Sequence, residues 1–277
     1  MDSPNQLLRG ARVRPKRSWG QNFLSDPQVL QRIVDALAPR PGETVLELGA
    51  GLGHLTRALV ETGAQVTAVE REREMLRILE ALAIPNLRIL PGNAADLDFA
   101  TAAGARPVAL VGNLPFHLTS PILFQAIAQW RSLSRAVFTI QKEVALRLAA
   151  PPGGRSYGIL SVLLGLYFEI ENLFELGPEL FYPPPKVRSA VVRLTVRPRP
   201  LAEVSSDQRF QKLVKAAFGQ RRKTLLNALK SGAIAPADRL GEALKQAGVE
   251  PTRRAETLSI EEFAALERAL VAGSSDG

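Results

Sequence analysis

The chain has 277 residues, of which 46% are hydrophobic and none is cysteine. This length suits one α/β domain joined to a smaller domain. The lack of cysteine excludes disulfide bonds, thiolate metal sites and cysteine nucleophiles. Since the sequence shows neither an apolar run long enough to cross a membrane nor a secretory signal, we expect a cytoplasmic protein.

Positive charge is concentrated in two segments. The formal net charge is +8, and residues 181–223 contain eleven Arg or Lys against two acidic residues. The first 20 residues contain five against one. This distribution favours a polyanionic partner such as nucleic acid, and a solvated basic surface is an equal alternative. We expect residues 1–18 to form a mobile basic arm.

The first predicted helix begins at Pro27. Ser25 or Asp26 can cap it, and its apolar positions repeat on one face as far as Leu37. Just before it, residues 21–23 place two amides beside an aromatic ring. That combination suits a polar ligand end as well as it suits a capped helix start.

A glycine-rich turn follows the first predicted strand, residues 44–48. Gly49, Gly51 and Gly53 have the spacing G-x-G-x-G and lead into a helical pattern. Glycine allows a ligand to lie directly against the backbone, and Glu70, at the end of the next strand, can accept ribose hydroxyls. The glycine spacing, together with Glu47 near the end of the first strand, fits S-adenosylmethionine better than a dinucleotide, because no pyrophosphate has to be held at the helix N-terminus. A glycine turn without a ligand is the alternative.

Further strands are predicted over residues 87–90, 108–112 and 135–140, separated by helices. In a doubly wound sheet, the loops at the carboxyl ends of the strands converge on one crevice. Asn93 or Asp96, after the third strand, could therefore reach an adenine edge. Ordinary turn chemistry is the other interpretation.

The chemical centre is predicted to be Asn113-Leu114-Pro115-Phe116, here called the platform, at the end of the fourth strand. The side-chain oxygen of Asn113 and the carbonyl of Leu114 can accept hydrogen bonds from one exocyclic amine, and Phe116 can stack on its base. These contacts would free the amine lone pair and orient it towards a methyl donor. A strand-ending turn with a buried Phe is the structural alternative.

The second half of the chain holds a loop over 151–157, an apolar segment over 159–168 and a stiff, proline-rich segment over 181–187, followed by a strand over 189–196. A domain boundary is predicted at 198–200. Helices are predicted over 210–218, 223–229, 238–247 and 260–271, and disorder over 273–277. The two histidines, His54 and His117, have no partners at metal-ligand spacing, so no metal site is expected.

Five motifs together resemble the KsgA-type small-subunit rRNA adenine dimethyltransferases. They are Q-N-F-L at 21–24, E-L-G-A-G-L-G at 47–53, N-L-P-F at 113–116, F-x-P-x-P-K-V-x-S at 181–189 and Q-R-R-K-T at 220–224. The resemblance implies an α/β, Rossmann-like methyltransferase domain over 1–198 and a small all-helical rRNA-binding domain over 199–277. It implies that the protein transfers methyl groups from S-adenosylmethionine to the exocyclic amines of two adjacent adenosines near the 3′ end of small-subunit rRNA, which dimethylates both. The expected partner of the monomer is that rRNA, in the subunit or its assembly precursor.

The resemblance also implies residue roles. Asn22 and Leu24 would contact the cofactor, Gly49 would lie under it, Glu70 would hold its ribose, and Asn113 would bridge cofactor and target amine. Gly51, in the glycine turn, is a further candidate cofactor-binding residue. Asn93 is another, because it stands at the family position that faces the cofactor adenine. The candidate RNA-binding residues are Phe181, Lys186, Arg155, Arg221, Arg222 and Lys223.

Two positions depart from the family pattern. Asn93 stands where the family usually has Asp, which removes charge assistance from the adenine contact. Phe116 stands where Tyr is common, and stacking needs only the π face. The alternatives are an Erm-type enzyme acting on large-subunit rRNA and a catalytically idle nucleic-acid-binding relative.

Overall fold

The structure, a computed structural model, describes residues 3–15 and 20–272. The strands are β1 (Phe23–Leu24), β2 (Thr44–Leu48), β3 (Gln65–Glu70), β4 (Leu87–Pro91), β5 (Val108–Asn113), β6 (Leu133–Gln141), β7 (Phe168–Leu176), β8 (Phe181–Tyr182) and β9 (Ser189–Val196). The helices are α1 (Pro4–Gly10), α2 (Pro27–Leu37), α3 (His54–Val60), α4 (Arg73–Ala81), α5 (Phe99–Ala103), α6 (Thr119–Ala128), α7 (Lys142–Leu148), α8 (Ile159–Tyr167), α9 (Asp207–Phe218), α10 (Leu225–Ser231), α11 (Ala237–Gln246) and α12 (Ile260–Ala272). None of these helices is long and apolar enough to cross a bilayer.

Within the described ranges, seven strands form one mixed sheet in the order β4-β3-β2-β5-β6-β9-β7. The strands from β4 to β6 are parallel, and β9 pairs antiparallel with β6. The chain runs outward from β2 to β4 and then returns to the other side of β2 as β5. This reversal is the switch point of a doubly wound sheet, where the carboxyl ends of neighbouring strands leave a crevice.

The sequence patterns account for the strands and helices around this crevice. The central strand β2 has Val45, Leu46 and Leu48 fully buried, because helices cover both faces of a parallel sheet. Helix α2 starts at Pro27 and is capped by Asp26, whose side chain accepts from the backbone N–H at position 29. The predicted Rossmann-like sheet is confirmed.

The chain forms two compact units. The first runs up to Ala145 and resumes over Glu169–Val196, and the second takes Leu146–Phe168 and continues from Arg197. The sequence instead assigned residues 1–198 to one domain. The difference has a physical reason: α8 is apolar on all sides, so residues 160–167 are all buried, and it packs against α9 and α12. Composition alone does not reveal a segment that leaves one unit and returns to it.

The second unit is helical, as predicted from the C-terminal sequence. Its core contains the fully buried rings of Tyr167, Phe210 and Phe263. The hydroxyl of Tyr167 donates to Oδ1 of Asp207 at 2.7 Å, which satisfies the one polar group on that buried ring. The predicted disorder over 273–277 lies outside the described residues.

The expectation of a mobile arm is wrong for its first part. Ser3 caps α1 with a reciprocal capping box, and Leu8 is buried against Phe23, Leu52 and Met75. The apolar residues of α1 are too few to show a period among polar neighbours, which is why the pattern was missed. Residues 1–2 and 16–18 of the predicted arm lie outside the described ranges.

The edge strand β7 was also missed. Its apolar residues are interrupted by three glutamates and an asparagine, all at exposed positions, as is usual for an edge strand that is not covered on both faces. The sequence therefore lacks the apolar run that identified the central strands.

Candidate active site

A cleft lies at the carboxyl ends of β2, β3 and β5, with about 1160 Å³ of empty space including its open mouth. The predicted cofactor and platform residues all line it, namely Asn22, Leu24, Gly49, Gly51, Glu70, Asn93, Asn113, Leu114, Pro115 and Phe116. Phe181 lines it as well. The structure thus brings together groups from across 160 residues of sequence because the strand ends converge at the switch point.

The glycine turn presents backbone to the cleft. Gly49, Gly51 and Gly53 all have positive φ, at 79°, 55° and 77°. A Cβ at Gly51 would lie 3.1 Å from the ring of Phe23, so a side chain there would be both strained and crowded. The floor of the cleft is therefore bare backbone with an aromatic ring beside it.

Glu70 is held by backbone amides. Its Oε2 accepts from the N–H of Gly51 at 2.9 Å, and its Oε1 accepts from the N–H groups of Arg71 and Glu72 at 2.7 and 2.9 Å. Since a carboxylate oxygen offers two acceptor sites, one site on Oε2 stays open in this arrangement. Accepting two ribose hydroxyls would require Glu70 to release one of these amides.

The platform is fixed by two hydrogen bonds. The side-chain Nδ2 of Asn113 donates to the carbonyl of Asn22 at 2.7 Å, and the backbone N–H of Leu114 donates to the carbonyl of Thr139 at 3.1 Å. No described residue donates to Oδ1 of Asn113, so this oxygen is left as an acceptor. Phe116 begins a short 3₁₀ turn and is half-buried at the cleft.

Asn93 lines the cleft but also takes part in the turn after β4. Its Nδ2 donates to Oδ2 of Asp96 at 2.6 Å, and its Oδ1 accepts from the N–H of Ala95 at 3.3 Å. Both interpretations of this residue therefore hold geometrically. The turn orients the amide, and the second acceptor site on Oδ1 remains available to a ligand.

Glu47 is a buried acid below the glycine turn. Its side chain is 1% exposed, and its Oε2 accepts from the hydroxyl of Thr56 at 2.6 Å. Burial raises the pKa of the Glu47 carboxyl to about 7, and the hydrogen bond from Thr56 opposes that shift. Glu47 therefore titrates near neutrality at the edge of the cleft.

Three features of the site escaped the sequence analysis. Gln21 donates through Nε2 to Oε2 of Glu72, which joins the N-terminal segment to the turn after β3. Gly112, one residue before the end of β5, lies so close to β2 that a Cβ would be 2.5 Å from the carbonyl oxygen of Leu48. The apolar wall of the cleft includes Met75. Only the glycine carried a signal, since it interrupts an apolar strand.

The predicted RNA-binding residues fall into two groups. Phe181 lines the cleft and pairs with Leu24, while Lys186 is exposed on the segment that follows. Four exposed arginines and lysines belong to the second unit: Arg155, Arg221, Arg222 and Lys223. Of these, Arg221 donates to the carbonyl of Arg155 at 2.6 Å, so the structure joins two loops that are distant in sequence.

No group of three metal-ligating side chains occurs among the described residues. His54 is buried at the cleft, and His117 is exposed at its rim.

A parallel sheet with a glycine turn after β2, an acid ending β3 and an Asn-Leu-Pro-Phe platform after β5 defines a Rossmann-like methyltransferase. Comparison with known proteins agrees. The family model for ribosomal RNA adenine dimethylase matches residues 12–271. The chain is 56% identical to ribosomal RNA small subunit methyltransferase A of Myxococcus xanthus, over 98% of this chain and 96% of that protein. It is 44% identical to the protein of that name from Desulfitobacterium hafniense, over 96% and 95% of the two chains.

Two solved structures resemble this one. A dimethyladenosine transferase from Plasmodium falciparum has a TM-score of 0.77 over 91% of this chain and 98% of that one, at 22% identity, and shows the shared fold. The 23S rRNA methyltransferase ErmE has a TM-score of 0.67 over 90% and 100% of the two chains, at 29% identity. The chain belongs to the ribosomal RNA adenine dimethylase family and is an rRNA methyltransferase.

Proposed function

We propose that this enzyme uses S-adenosylmethionine to dimethylate the exocyclic amines of two adjacent adenosines near the 3′ end of small-subunit rRNA, during ribosome biogenesis. One observation carries the proposal. The free Oδ1 of Asn113 lies in the same cleft as the glycine turn and Glu70. The names of the most similar relatives support the small subunit as the source of the rRNA.

The residues of the cleft fit S-adenosylmethionine, which supplies an electrophilic methyl group when bound. The glycine turn lets the cofactor lie against backbone, and the open site on Glu70 can accept a ribose hydroxyl. Leu52 and Met75 form an apolar wall suited to a purine ring, and Asn93 offers an acceptor beside it. Asn22 and Leu24 close the cleft from the N-terminal side.

The platform would act on the target adenosine. Oδ1 of Asn113 and the carbonyl of Leu114 accept hydrogen bonds from its amine, Pro115 keeps the segment extended, and Phe116 stacks on the base. Two acceptors aimed at one amine hold its nitrogen in the geometry that exposes the lone pair. The platform contributes by positioning and electrostatics and needs no general base, because the proton on the target amine becomes acidic only as the methyl group is transferred.

The RNA backbone would meet basic side chains on both units. Phe181 and Lys186 follow the cleft in the first unit, and the second unit contributes its four exposed cations. Such contacts supply affinity without base specificity. We propose a monomer acting on the small subunit or its assembly precursor, and its cytoplasmic location stays a prediction.

Methyl transfer from labelled S-adenosylmethionine to unmethylated small subunits, followed by mapping of the labelled nucleotides, tests this proposal. We expect two adjacent dimethyladenosines near the 3′ end of the small-subunit rRNA. Label confined to large-subunit rRNA would instead favour an activity like that named for ErmE. A protein that binds cofactor but transfers no methyl group would contradict the role given to the platform.

A further inference from the structure

Two cations meet at the end of β6. Lys142 is the first residue of α7, and its backbone N–H donates to the carbonyl of Arg188 at 3.0 Å. Gln141 precedes Lys142, and Ser189 follows Arg188. These two neighbours pair with each other in the antiparallel β6–β9 ladder. The two side chains therefore start from one point on the sheet, although they are 46 residues apart in sequence.

This point lies close to the platform. The N–H of Leu114 donates to the carbonyl of Thr139, and Lys142 follows Thr139 by three residues, directly after the end of β6. At the usual rise of a strand, that places the backbone of Lys142 about 10 Å beyond the platform contact. The exposed segment from Lys186 to Arg188 continues from the strand whose Phe181 lines the cleft.

One carboxylate holds both cations. Oε1 of Glu175 on β7 lies 2.8 Å from Nζ of Lys142, and its Oε2 lies 3.3 Å from Nε of Arg188. All three side chains are at least 38% exposed. The hydrogen bond from Lys142 keeps the pKa of the Glu175 carboxyl below its usual value, so the group is ionised at neutral pH.

A second ion pair, between β7 and β9, has a different charge balance. Glu171 on β7 pairs with Arg193 on β9 through two hydrogen bonds, at 2.8 and 3.0 Å, and no second cation among the described residues shares it. The Glu171 pair is neutral in sum, whereas the group at Glu175 carries one surplus positive charge. Exposed Lys186 adds another positive charge nearby along the chain. Of these two groups, the one at Glu175 is therefore better suited to an anion.

We propose that Lys142 and Arg188 bind a backbone phosphate of the RNA strand that carries the target adenosine, and that Glu175 occupies the phosphate position until the RNA displaces it. The inference rests on the proposed function for the identity of the RNA. Two cations aimed at two oxygens of one anion match a phosphate as well as a carboxylate. Exposed ion pairs are weak and screened by salt, so a polyanion can replace Glu175 at little cost.

The test measures binding of the full-length protein to an unmethylated small-subunit rRNA transcript at several salt concentrations. Removing the competitor should strengthen binding, so Glu175→Gln is expected to lower Kd about threefold. Glu171→Gln, which makes the same charge change on the same strand, should change Kd by less than about 1.5-fold. Equal effects from the two variants would mean that only net charge matters, which would overturn the proposal.

The cations are tested in the same way. Lys142→Gln and Arg188→Gln should each raise Kd about threefold to tenfold and reduce the slope of log Kd against log salt by about 0.7. Arg193→Gln is the matched control and should leave the slope unchanged. Circular dichroism confirms folding, and unchanged cofactor affinity separates lost RNA contacts from a damaged cleft. Unchanged Kd and slope in Arg188→Gln would refute the phosphate contact.

Failure of the proposed function would look different. If the wild type methylated no small-subunit rRNA but these variants still changed RNA affinity as expected, the phosphate site would be supported and the proposed substrate would be wrong. If the wild type methylated that rRNA and the variants matched their controls, the phosphate site would fall alone.

Discussion

The strand ends on one side of the cleft and the N-terminal segment on the other are held by different interactions. The strand-end side is built from backbone: amides fix Glu70, and a ladder-like bond fixes the platform. The N-terminal side has only a two-residue backbone ladder, between β1 and β8, and is otherwise held by side chains, with Leu8 packed on Phe23 and Gln21 bonded to Glu72. Backbone ladders are stiff, whereas a few side-chain contacts can open locally. We therefore expect changes on the strand-end side to affect chemistry, core stability and direct contacts with the cofactor, and changes on the N-terminal side to affect cofactor affinity without affecting the chemical step.

The largest effect is expected at the platform. Asn113→Ala removes the acceptor for the target amine and should lower kcat about 10²- to 10³-fold, in line with loss of one preorganised polar contact to a transition state. Cofactor affinity, measured by calorimetry, should change far less. Undiminished turnover would contradict the acceptor role.

Local motifs made the strand-end side predictable. The glycine turn, Glu70 and the platform are each contiguous in sequence, and parallel strand order brings their ends together. The N-terminal side was not predictable, because α1 shows too short an apolar pattern and the Gln21–Glu72 bond joins residues 51 positions apart. The pairing of Lys142 with Arg188 depends on the register of β6 and β9, which no local pattern encodes. The functional roles given to these residues stay predictions.

The next largest effect concerns Glu47. The pKa of the Glu47 carboxyl is about 7 in the folded protein, whereas its ordinary value, which applies to the unfolded chain, is 4.5. Between these two pH values the folded state keeps a proton that the unfolded state has lost. The stability from this proton is present below pH 4.5 and is lost as pH rises through 7. Glu47→Gln, which stays neutral, should gain about 2–3 kcal/mol over the wild type between pH 4.5 and pH 8.

Urea unfolding at the two pH values measures this difference. Glu43→Gln is a useful contrast, because Arg135 lowers the pKa of the Glu43 carboxyl. The stability that ionised Glu43 contributes is lost as pH falls below 4.5, so the stability of Glu43→Gln relative to the wild type should rise in a further unfolding experiment below that pH. A pH-independent difference for Glu47→Gln would show that folding does not shift the pKa of the Glu47 carboxyl.

A smaller effect is expected at Glu70. Glu70→Ala should weaken binding of S-adenosylmethionine by about 1–3 kcal/mol, because a charge-assisted bond to the ribose is lost and three amides near the cleft lose their acceptor. Calorimetric titration measures the change. Glu70→Gln keeps one acceptor oxygen and should retain part of the affinity. Full affinity in Glu70→Ala would remove Glu70 from the cofactor site.

The smallest effect is expected at Leu8. Helix α1 has seven residues and is too short to be stable alone, so its position depends on the burial of Leu8. Leu8→Ala should detach α1 from Phe23, Leu52 and Met75, the last two of which also form the cofactor wall. The Kd for S-adenosylmethionine should rise about threefold to tenfold, about 1 kcal/mol, while kcat at saturating cofactor stays unchanged.

The matched variant Leu7→Ala, at a partly buried position on the same helix, should have a smaller effect on Kd. Hydrogen exchange gives an independent measurement, since amides of α1 should lose protection in Leu8→Ala and those of β5 should not. If Leu8→Ala lowered kcat as strongly as Kd rose, the N-terminal side would be as tightly coupled to the platform as the strand ends are. The expectation that the N-terminal side leaves the chemical step unaffected would then be wrong, and the Asn113–Asn22 bond would be the contact through which the coupling runs.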